Sequence, residues 1–534
     1  MSSIRTRRTA PAVTTPATPP DPATRRRWLA LSVLAVAQFM VFLDETVVNV
    51  ALPSIKTSLG FSQTSLAWVI SAYVLAFGGL ILLGGRAADL AGRRRIFLIG
   101  TAIFGIASLA DGLATSQGLL IGARALQGLG AALATPAALA LVTNLFPAGA
   151  MRTKALTIWG ALSGLGFAIG VLLGGVITQA ASWRWVFFIN VPIALVGLLA
   201  VPRLVGESRN PGQPGFDVAG AVTITAGMST LVYTLLKGAS YGWTSATTIG
   251  LFIAAAVLLA AFAVIESRAA VPLVPRGFVH RRTTLVPTTL QWLLTVSAFS
   301  SFFMLTLYLQ QVLGYTPLQA GLGYIPLAAA LVAASVIASN LIPRIGPRPL
   351  VITGLATVGT GLALLGHVPA GATYTANILP ALVLIGFGGG FSFVSVNTAA
   401  LAQVQESVAG LASGLLSSAA QLGGAVGLAV IVALATTRAG ALLRTGTAAV
   451  AAQTGGLRLG FLLAAAVALA ASVVAAIALQ RQKASPATPP QSPASQIKTA
   501  ETWPPLLTRH RPTATAAHTT TTTTTAQDKR PPSN

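Results

Sequence analysis

Apolar runs of about 18–25 residues recur along this chain, the length an α-helix needs to cross a bilayer. They lie near 28–50, 66–85, 96–114, 118–142, 155–179, 185–204, 216–236, 246–265, 285–310, 320–342, 349–367, 376–400, 412–436 and 459–480, fourteen in all. A soluble chain of this size would carry charge on about a quarter of its residues. Here 8% of 534 residues are charged and 54% are hydrophobic. The fold class that follows is an all-α membrane protein. The first span follows a basic flank but has no convincing small-residue cleavage site, so it is read as a retained helix. Spans 118–142 and 376–400 hold enough glycine to bend.

Two tails flank this body. Residues 1–27 are rich in Pro, Thr and Arg, and residues 484–534 include the run Thr519–Thr525. Both have too little apolar content to offset the entropy of ordering and are expected to be disordered.

The net charge of +23 is informative through its placement. With the N-terminus inside, the inner segments hold Arg25–Arg27, Arg86, Arg93–Arg95, Arg152, Lys154, Arg203, Arg209, Arg268, Arg276, Arg281, Arg282, Arg344, Arg348, Arg481 and Lys483. The outer loops hold only Lys56, Arg184, Lys237, Arg438, Arg444 and Arg458. Nineteen against six places both termini in the cytoplasm, given an even helix count. Because the basic residues never gather on one face, no nucleic-acid partner is expected. The chain has no cysteine, and His280, His367, His510 and His518 are too scattered for a metal site. It also lacks a phosphate loop and a G-x-S-x-G element, so no cofactor is expected. The partners implied are the lipid bilayer, a small molecule and protons; no oligomeric state is assigned.

An internal repeat organises the spans. GGRAADLAGRRRIFLIG (84–100) is echoed by IPRIGPRPLVITG (342–354), aligning Gly92, Arg94 and Gly100 with Gly346, Arg348 and Gly354 at a constant offset of 254. At nearly the same offset, Gly128 and Gly130 correspond to Gly386 and Gly388. Helices one to six then repeat as nine to fourteen. This gives six-helix bundles over 28–205 and 283–483, with two extra helices and a linker over 206–282. Two repeated halves are the layout of a transporter that rocks about a central site.

Charge inside a membrane is costly, about 2.5–3.5 kcal/mol at the bilayer centre on insertion scales, so buried ionisable residues point to function. The first span contains Asp44 and Glu45 within LDETVVNVALPSI (43–55). Adjacent helical residues are about 100° apart, so only one can face a central cavity, and Asp44 is the expected one. The fourth span contains Arg124, for which Asp44 or Glu45 is the expected counter-charge. Such a pair would let a carboxylate alternate between binding arginine and carrying a proton; a permanent ion pair that only fixes packing is the other reading.

Between the second and third spans, Gly85 and Gly92 suggest a tight turn and Asp89 a helix cap, with Arg93–Arg95 in the headgroup layer. Gly166, Gly170 and Gly174, four apart and followed by Gly175, give the fifth span a small-residue face for close helix approach. A similar face runs through GLASGLLSSAAQLGGAVG (410–427). Candidate cavity residues are Gln38, Asn49, Gln127, Gln291, Gln311, Asn397 and Gln421, with Trp68, Tyr73, Trp292 and Tyr308 as aromatic walls. The second half has no acid deep in a helix, since Glu406 lies at a loop and Asp217 and Glu266 flank the extra pair, which argues against a site for dications.

These stretches resemble a known family. LDETVVNVALPSI is similar to the first-helix signature of the fourteen-helix drug:proton antiporters of the major facilitator superfamily. GGRAADLAGRRR resembles that superfamily's loop between helices two and three, with Gly85, Asp89, Gly92 and Arg93 in the motif positions. RALQGLGAA resembles the helix-four motif whose arginine, here Arg124, is associated with proton coupling, and WRWVFFINVP (183–192) looks like the following helix junction of the same branch. The likeness covers residue 28 to about residue 480. It implies the facilitator fold and proton-coupled efflux of amphipathic small molecules across a bacterial cytoplasmic membrane by alternating access, with Asp44, Glu45 and Arg124 in coupling and the loop as a conformational switch. One position departs. The helix-five motif reads Gly-Pro-x-x-Gly-Gly, whereas this chain has Val171 after Gly170, which removes a kink and leaves uptake by symport or uniport open. A membrane-embedded enzyme or sensor is the third reading; it would need a titratable cluster beyond the acid–arginine pair.

Overall fold

A computed structural model describes residues 22–479 apart from 148, 210–216, 270–271, 273–280, 370–371 and 403–408. Arg276, Glu406 and nearly all of both tails lie outside these residues. The fourteen expected spans are fourteen helices long and apolar enough to cross a membrane. They are α1 (Thr24–Leu59), α2 (Gln63–Ala91), α3 (Arg93–Gly112), α4 (Gln117–Leu145), α5 (Lys154–Ala180), α6 (Trp185–Leu204), α7 (Val218–Gly238), α8 (Ala246–Arg268), α9 (Arg282–Val312), α10 (Pro317–Ile345), α11 (Pro347–Gly366), α12 (Tyr374–Leu401), α13 (Leu411–Arg444) and α14 (Ala449–Ala478). Several outrun the apolar spans by polar turns. In α1 the helix takes in Arg25–Arg27, because long basic side chains can continue a helix into a headgroup layer while their stems cover apolar surface. Lys154 accordingly sits over the Trp28 ring at 5.4 Å.

The repeat appears as matched helix crossings. A β-carbon at Gly100 would lie 2.7 Å from the Gly130 carbonyl, and one at Gly354 would lie 2.8 Å from the Gly388 carbonyl, so α3 crosses α4 as α11 crosses α12. Gly128 packs on the Tyr73 carbonyl and Gly386 on the Leu327 carbonyl, the same crossing again 254 residues along in the partner helix. Gly92 and Gly346 start α3 and α11 with positive φ, +114° and +78°, a conformation in which a β-carbon is strained.

Small residues also set the remaining seams. Gly166, Gly170 and Gly174 of α5 lie against Phe42, Thr46 and Val47 of α1, and Gly423, Gly424 and Gly427 of α13 lie against Trp292, Phe299 and Val296 of α9. The two halves meet where α5 faces α10, with Gly175 against Pro317 and Gly321 against Val171. They meet again where α2 faces α13, Ser418 Oγ donating to the Gly78 carbonyl at 2.6 Å. The extra helix α7 packs on both α2 and α13, with Thr225 against Gly79. Beyond it, α8 packs on α7 through Leu259 and Gly227. Only 11% of the most apolar stretch of α8 is buried against 78% for α2, which leaves α8 facing lipid.

Candidate functional site

The first half encloses a polar network in otherwise apolar packing. Asp44 of α1 is 0% exposed and Arg124 of α4 is 1% exposed. Arg124 Nη1 donates to Asp44 Oδ2 at 2.5 Å and to Gln127 Oε1 at 2.5 Å, while Nε donates to the Val69 carbonyl at 2.9 Å. Gln127 Nε2 and Asn190 Nδ2 each donate to Asp44 Oδ1 at 2.9 Å. Gln127 Nε2 also reaches Ser108 Oγ at 2.7 Å. The guanidinium lies 4.3 Å from the Tyr73 ring centroid and 5.9 Å from that of Phe187. Five helices, α1, α2, α3, α4 and α6, therefore converge on one ion pair. A buried pair survives only when its remaining donors and acceptors are satisfied, and Gln127, Asn190 and Val69 do that here.

The expected orientation of α1 is reversed. Asp44 turns into the first half, and Glu45, about 100° round the helix, turns to the seam between halves, where Gln421 Nε2 of α13 donates to Glu45 Oε1 at 2.7 Å. Arg124 attracts the residue on its own side of α1. Gln127 and Tyr73 likewise belong to the ion-pair network, not to a cavity wall.

Along the seam, Gln38 and Asn49 share the Glu45 stripe by spacings of seven and four residues. The Asn49 Oδ1, Gln291 Oε1 and Gln421 Oε1 atoms are buried without a hydrogen-bond partner among the described residues, as is Tyr308 OH, whose ring turns instead to Phe461 of α14 at 6.5 Å between centroids. Tyr308 opens a π-helical turn, Tyr308–Val312, a local widening that frequently marks functional positions. Phe167 and Phe302 face each other across the seam at 5.3 Å between ring centroids. Other candidates lie elsewhere. Trp292 packs on Gly423 inside the second half, Trp68 rests on Tyr233 of α7 at 6.2 Å, and Asn397 donates to the Phe393 carbonyl of its own helix at 2.8 Å. Gln311 lines a cleft of about 490 Å³ at one end of the seam, with Pro53, Lys56, Gln310, Tyr315 and Pro317. There Gln310 Nε2 donates to the Val50 carbonyl at 2.8 Å and the Leu318 amide to Gln179 Oε1 at 3.1 Å, drawing the halves together at that end.

The loop between α2 and α3 differs in two respects from its expected form. Gly85 lies inside α2 rather than at the turn, and its neighbour Gly84 makes the close contact, against the Ala132 carbonyl of α4. Asp89 does not cap α3; it pairs with Arg93, one turn on, with Nη2 to Oδ1 at 2.8 Å. The cap is Glu207, beyond α6, whose two carboxylate oxygens accept from the Arg94 and Arg95 amides at 3.1 Å each. A carboxylate is the favoured partner for orphan amides at a helix start. A β-carbon at Gly92 would approach the Glu207 carboxyl at 2.8 Å. Glu207 lies in a polar stretch far along the chain, where spacing offers no clue to it.

A third acid stands beside the network. Asp111 of α3 is 0% exposed, and a carboxyl at this depth makes Asp44 and Glu45 no longer the sole acids within reach of Arg124. It stands near the end of the 96–114 span, and its spacing of three from Ser108 puts it beside the network.

Residues 34–428 match the family model described as the Major Facilitator Superfamily. The chain is 40% identical over 461 residues to a puromycin resistance protein of Streptomyces alboniger, spanning 86% of this chain and 91% of that one. It is 39% identical over 406 residues to a cephamycin export protein of Amycolatopsis lactamdurans, spanning 75% and 84%. Among solved structures, a bacterial homolog of the human lysosomal transporter Spinster, inward-facing and unoccupied, superposes with a TM-score of 0.62 at 18% identity, over 85% of this chain and 97% of that one. That likeness is one of fold.

Proposed function

Because this chain belongs to the Major Facilitator Superfamily, we propose that it is a proton-coupled exporter of amphipathic small molecules, antibiotics or other secondary metabolites among them. It is a transporter rather than an enzyme, and a multi-pass protein of a bacterial inner membrane. The observation that carries the proton coupling is the buried Asp44–Arg124 pair, held by Gln127 and Asn190. A carboxylate so placed can take up a proton and release the guanidinium while keeping amide partners, which links protonation to a change in helix packing. Export enters from the relatives, which are named for puromycin resistance and cephamycin export.

In this reading both termini are cytoplasmic, on the nineteen-to-six distribution of basic residues. The end of the seam joined by Gln310, Val50, Gln179 and Leu318 is then the outer one, and the arrangement is closed to the outside. Substrate enters between the halves along Glu45, Asn49, Gln291 and Gln421. A proton taken by Asp44 from the outer side accompanies the reverse half of the cycle, and the halves rock about the seam. Asp89 and Arg93 at the inner end of α2 and α3 latch one of the two states. The proton gradient is the energy source.

Everted membrane vesicles test this with puromycin and ethidium as probes. ATP-independent uptake into the vesicles, with proton release from the lumen on adding probe, is expected from the wild type. Asp44→Asn is expected to abolish the proton movement; a variant that retains it overturns the coupling assignment. Accumulation of probe by whole cells, in place of its exclusion, would establish uptake, the reading that Val171 leaves open.

A further inference from the structure

Inside the first half the buried polar network contains one cation and two acids, the third acid, Glu45, being turned to the seam and held by Gln421. Asp44 is paired with Arg124, whereas both carboxyl oxygens of Asp111 are buried and without a hydrogen-bond partner among the described residues. Asp111 lies on the stripe of α3 that faces α4. It is eleven residues, about three turns, from Gly100, which packs on Gly130 of α4. One turn before it, Ser108 accepts from Gln127. Asp111 is within electrostatic reach of Arg124 and Asp44.

The charged and titratable groups around Asp111 can be named. From α4 there is Arg124, against which Tyr73 of α2 is stacked, and from α1 Asp44. From the short turn leading into α6 there is Arg184, whose Nη2 is engaged by the Ala114 carbonyl at 3.1 Å. At this level α6 contributes the uncharged Asn190. One guanidinium can neutralise one carboxylate. A second carboxylate, buried and unpartnered, would be strongly disfavoured, and a single proton shared by the two acids removes that cost.

We propose that Asp111 is a second proton-carrying carboxyl and that Arg124 is exchanged between the two acids. In the arrangement described, Asp44 is the carboxylate bound to Arg124 and Asp111 holds the proton on one Oδ. When the proton held on Asp111 passes to Asp44 Oδ2, the Asp44 ion pair breaks and Arg124 turns to the Asp111 carboxylate. The proton lost by Asp111 is the one gained by Asp44, so the two acids and one arginine remain neutral in total throughout, and Asp111 is reloaded from the outer side. Under the proposed orientation Asp111 is nearer the outer face than Asp44, because α3 ends at Gly112 in an outer loop. It is therefore the station at which a proton entering from outside is first held. This rests on the proton-coupled reading of Asp44.

Infrared titration of the purified full-length protein in detergent tests the exchange. In the wild type near neutral pH, a protonated-carboxyl C=O band is expected that shifts on growth with isotope-labelled aspartate. Asp111→Asn should remove it. Asp111→Glu, which keeps a carboxyl if the amide disturbs folding, should move it out of the labelled set. In Asp44→Asn, Arg124 is freed for Asp111 and the same band should be lost at that pH. Absence of the band in the wild type, its survival in Asp111→Asn, or an identical pH profile in wild type and Asp44→Asn would each overturn the proposal. Failure here is distinguishable from failure of the coupling reading. If Asp44→Asn still stops proton movement in vesicles while no Asp111 band is found, only the exchange falls; if Asp44→Asn leaves proton movement intact, the coupling reading falls first.

Discussion

Asp44 and Glu45 are neighbours in sequence and bind opposite halves of the molecule. Asp44 accepts from Arg124, Gln127 and Asn190 of the first half, whereas Glu45 accepts from Gln421 of the second. One dipeptide in α1 thus joins the network proposed to carry protons to the seam proposed to carry substrate.

That division predicts separable phenotypes. Glu45→Gln retains a side chain able to hydrogen-bond Gln421, so proton movement through Asp44 should persist while the half-saturation concentration for puromycin rises. Asp44→Asn should abolish proton movement. Vesicle assays of the two variants side by side decide the matter, and coupling lost in Glu45→Gln but kept in Asp44→Asn would reverse the roles.

Arg124→Met strips the partner from a buried carboxylate, a change that costs about 3–5 kcal/mol. Thermal unfolding of the detergent-solubilised protein should show a marked drop. Adding Asp44→Leu removes the stranded acid and should restore part of the loss. A double variant no more stable than Arg124→Met would show that the pair is not the source of the cost.

Gly170 has no room for a methyl group, since its β-carbon would collide with the Thr46 hydroxyl on α1. Gly170→Ala should destabilise by about 1–3 kcal/mol through overpacking, and Thr46→Ala in the same chain should relieve part of it. Gly160→Ala, where a β-carbon meets nothing within 4 Å, should be neutral or slightly stabilising. The three melting temperatures make the comparison.

Glu207 caps the helix start that carries Arg93–Arg95. Glu207→Ala should cost about 0.5–2 kcal/mol locally and expose those arginines to trypsin. Faster cleavage there is expected in everted vesicles and not in right-side-out ones; cleavage only in the latter would invert the proposed topology.

The helices were legible because bilayer thickness dictates their length, and the repeat was legible because Gly100, Gly130, Gly354 and Gly388 stand where backbones touch. Arg124 and an acid of α1 were legible as partners, since each is costly alone in an apolar span. Which of Asp44 and Glu45 faces inward was not, because both lie on one unbroken helix and only the surrounding helices set its rotation. Glu207 and Asp111 were not legible, nor was Glu45 as the partner of the candidate Gln421, for a related reason. Their roles come from contacts with residues distant in sequence or, for Asp111, from a burial that its place near a span end concealed.

Helices α7 and α8 have a consequence for access from the lipid. The halves meet along two flanks, α2 with α13 and α5 with α10, and α7 lies across the first with α8 outside it. Among the described residues no comparable helix covers the flank where Gly175 meets Pro317. The molecule is therefore one-sided in the membrane plane. An amphipathic molecule dissolved in a leaflet meets a double wall on one side and a single seam of small residues on the other, so any lateral entry has a fixed compass bearing.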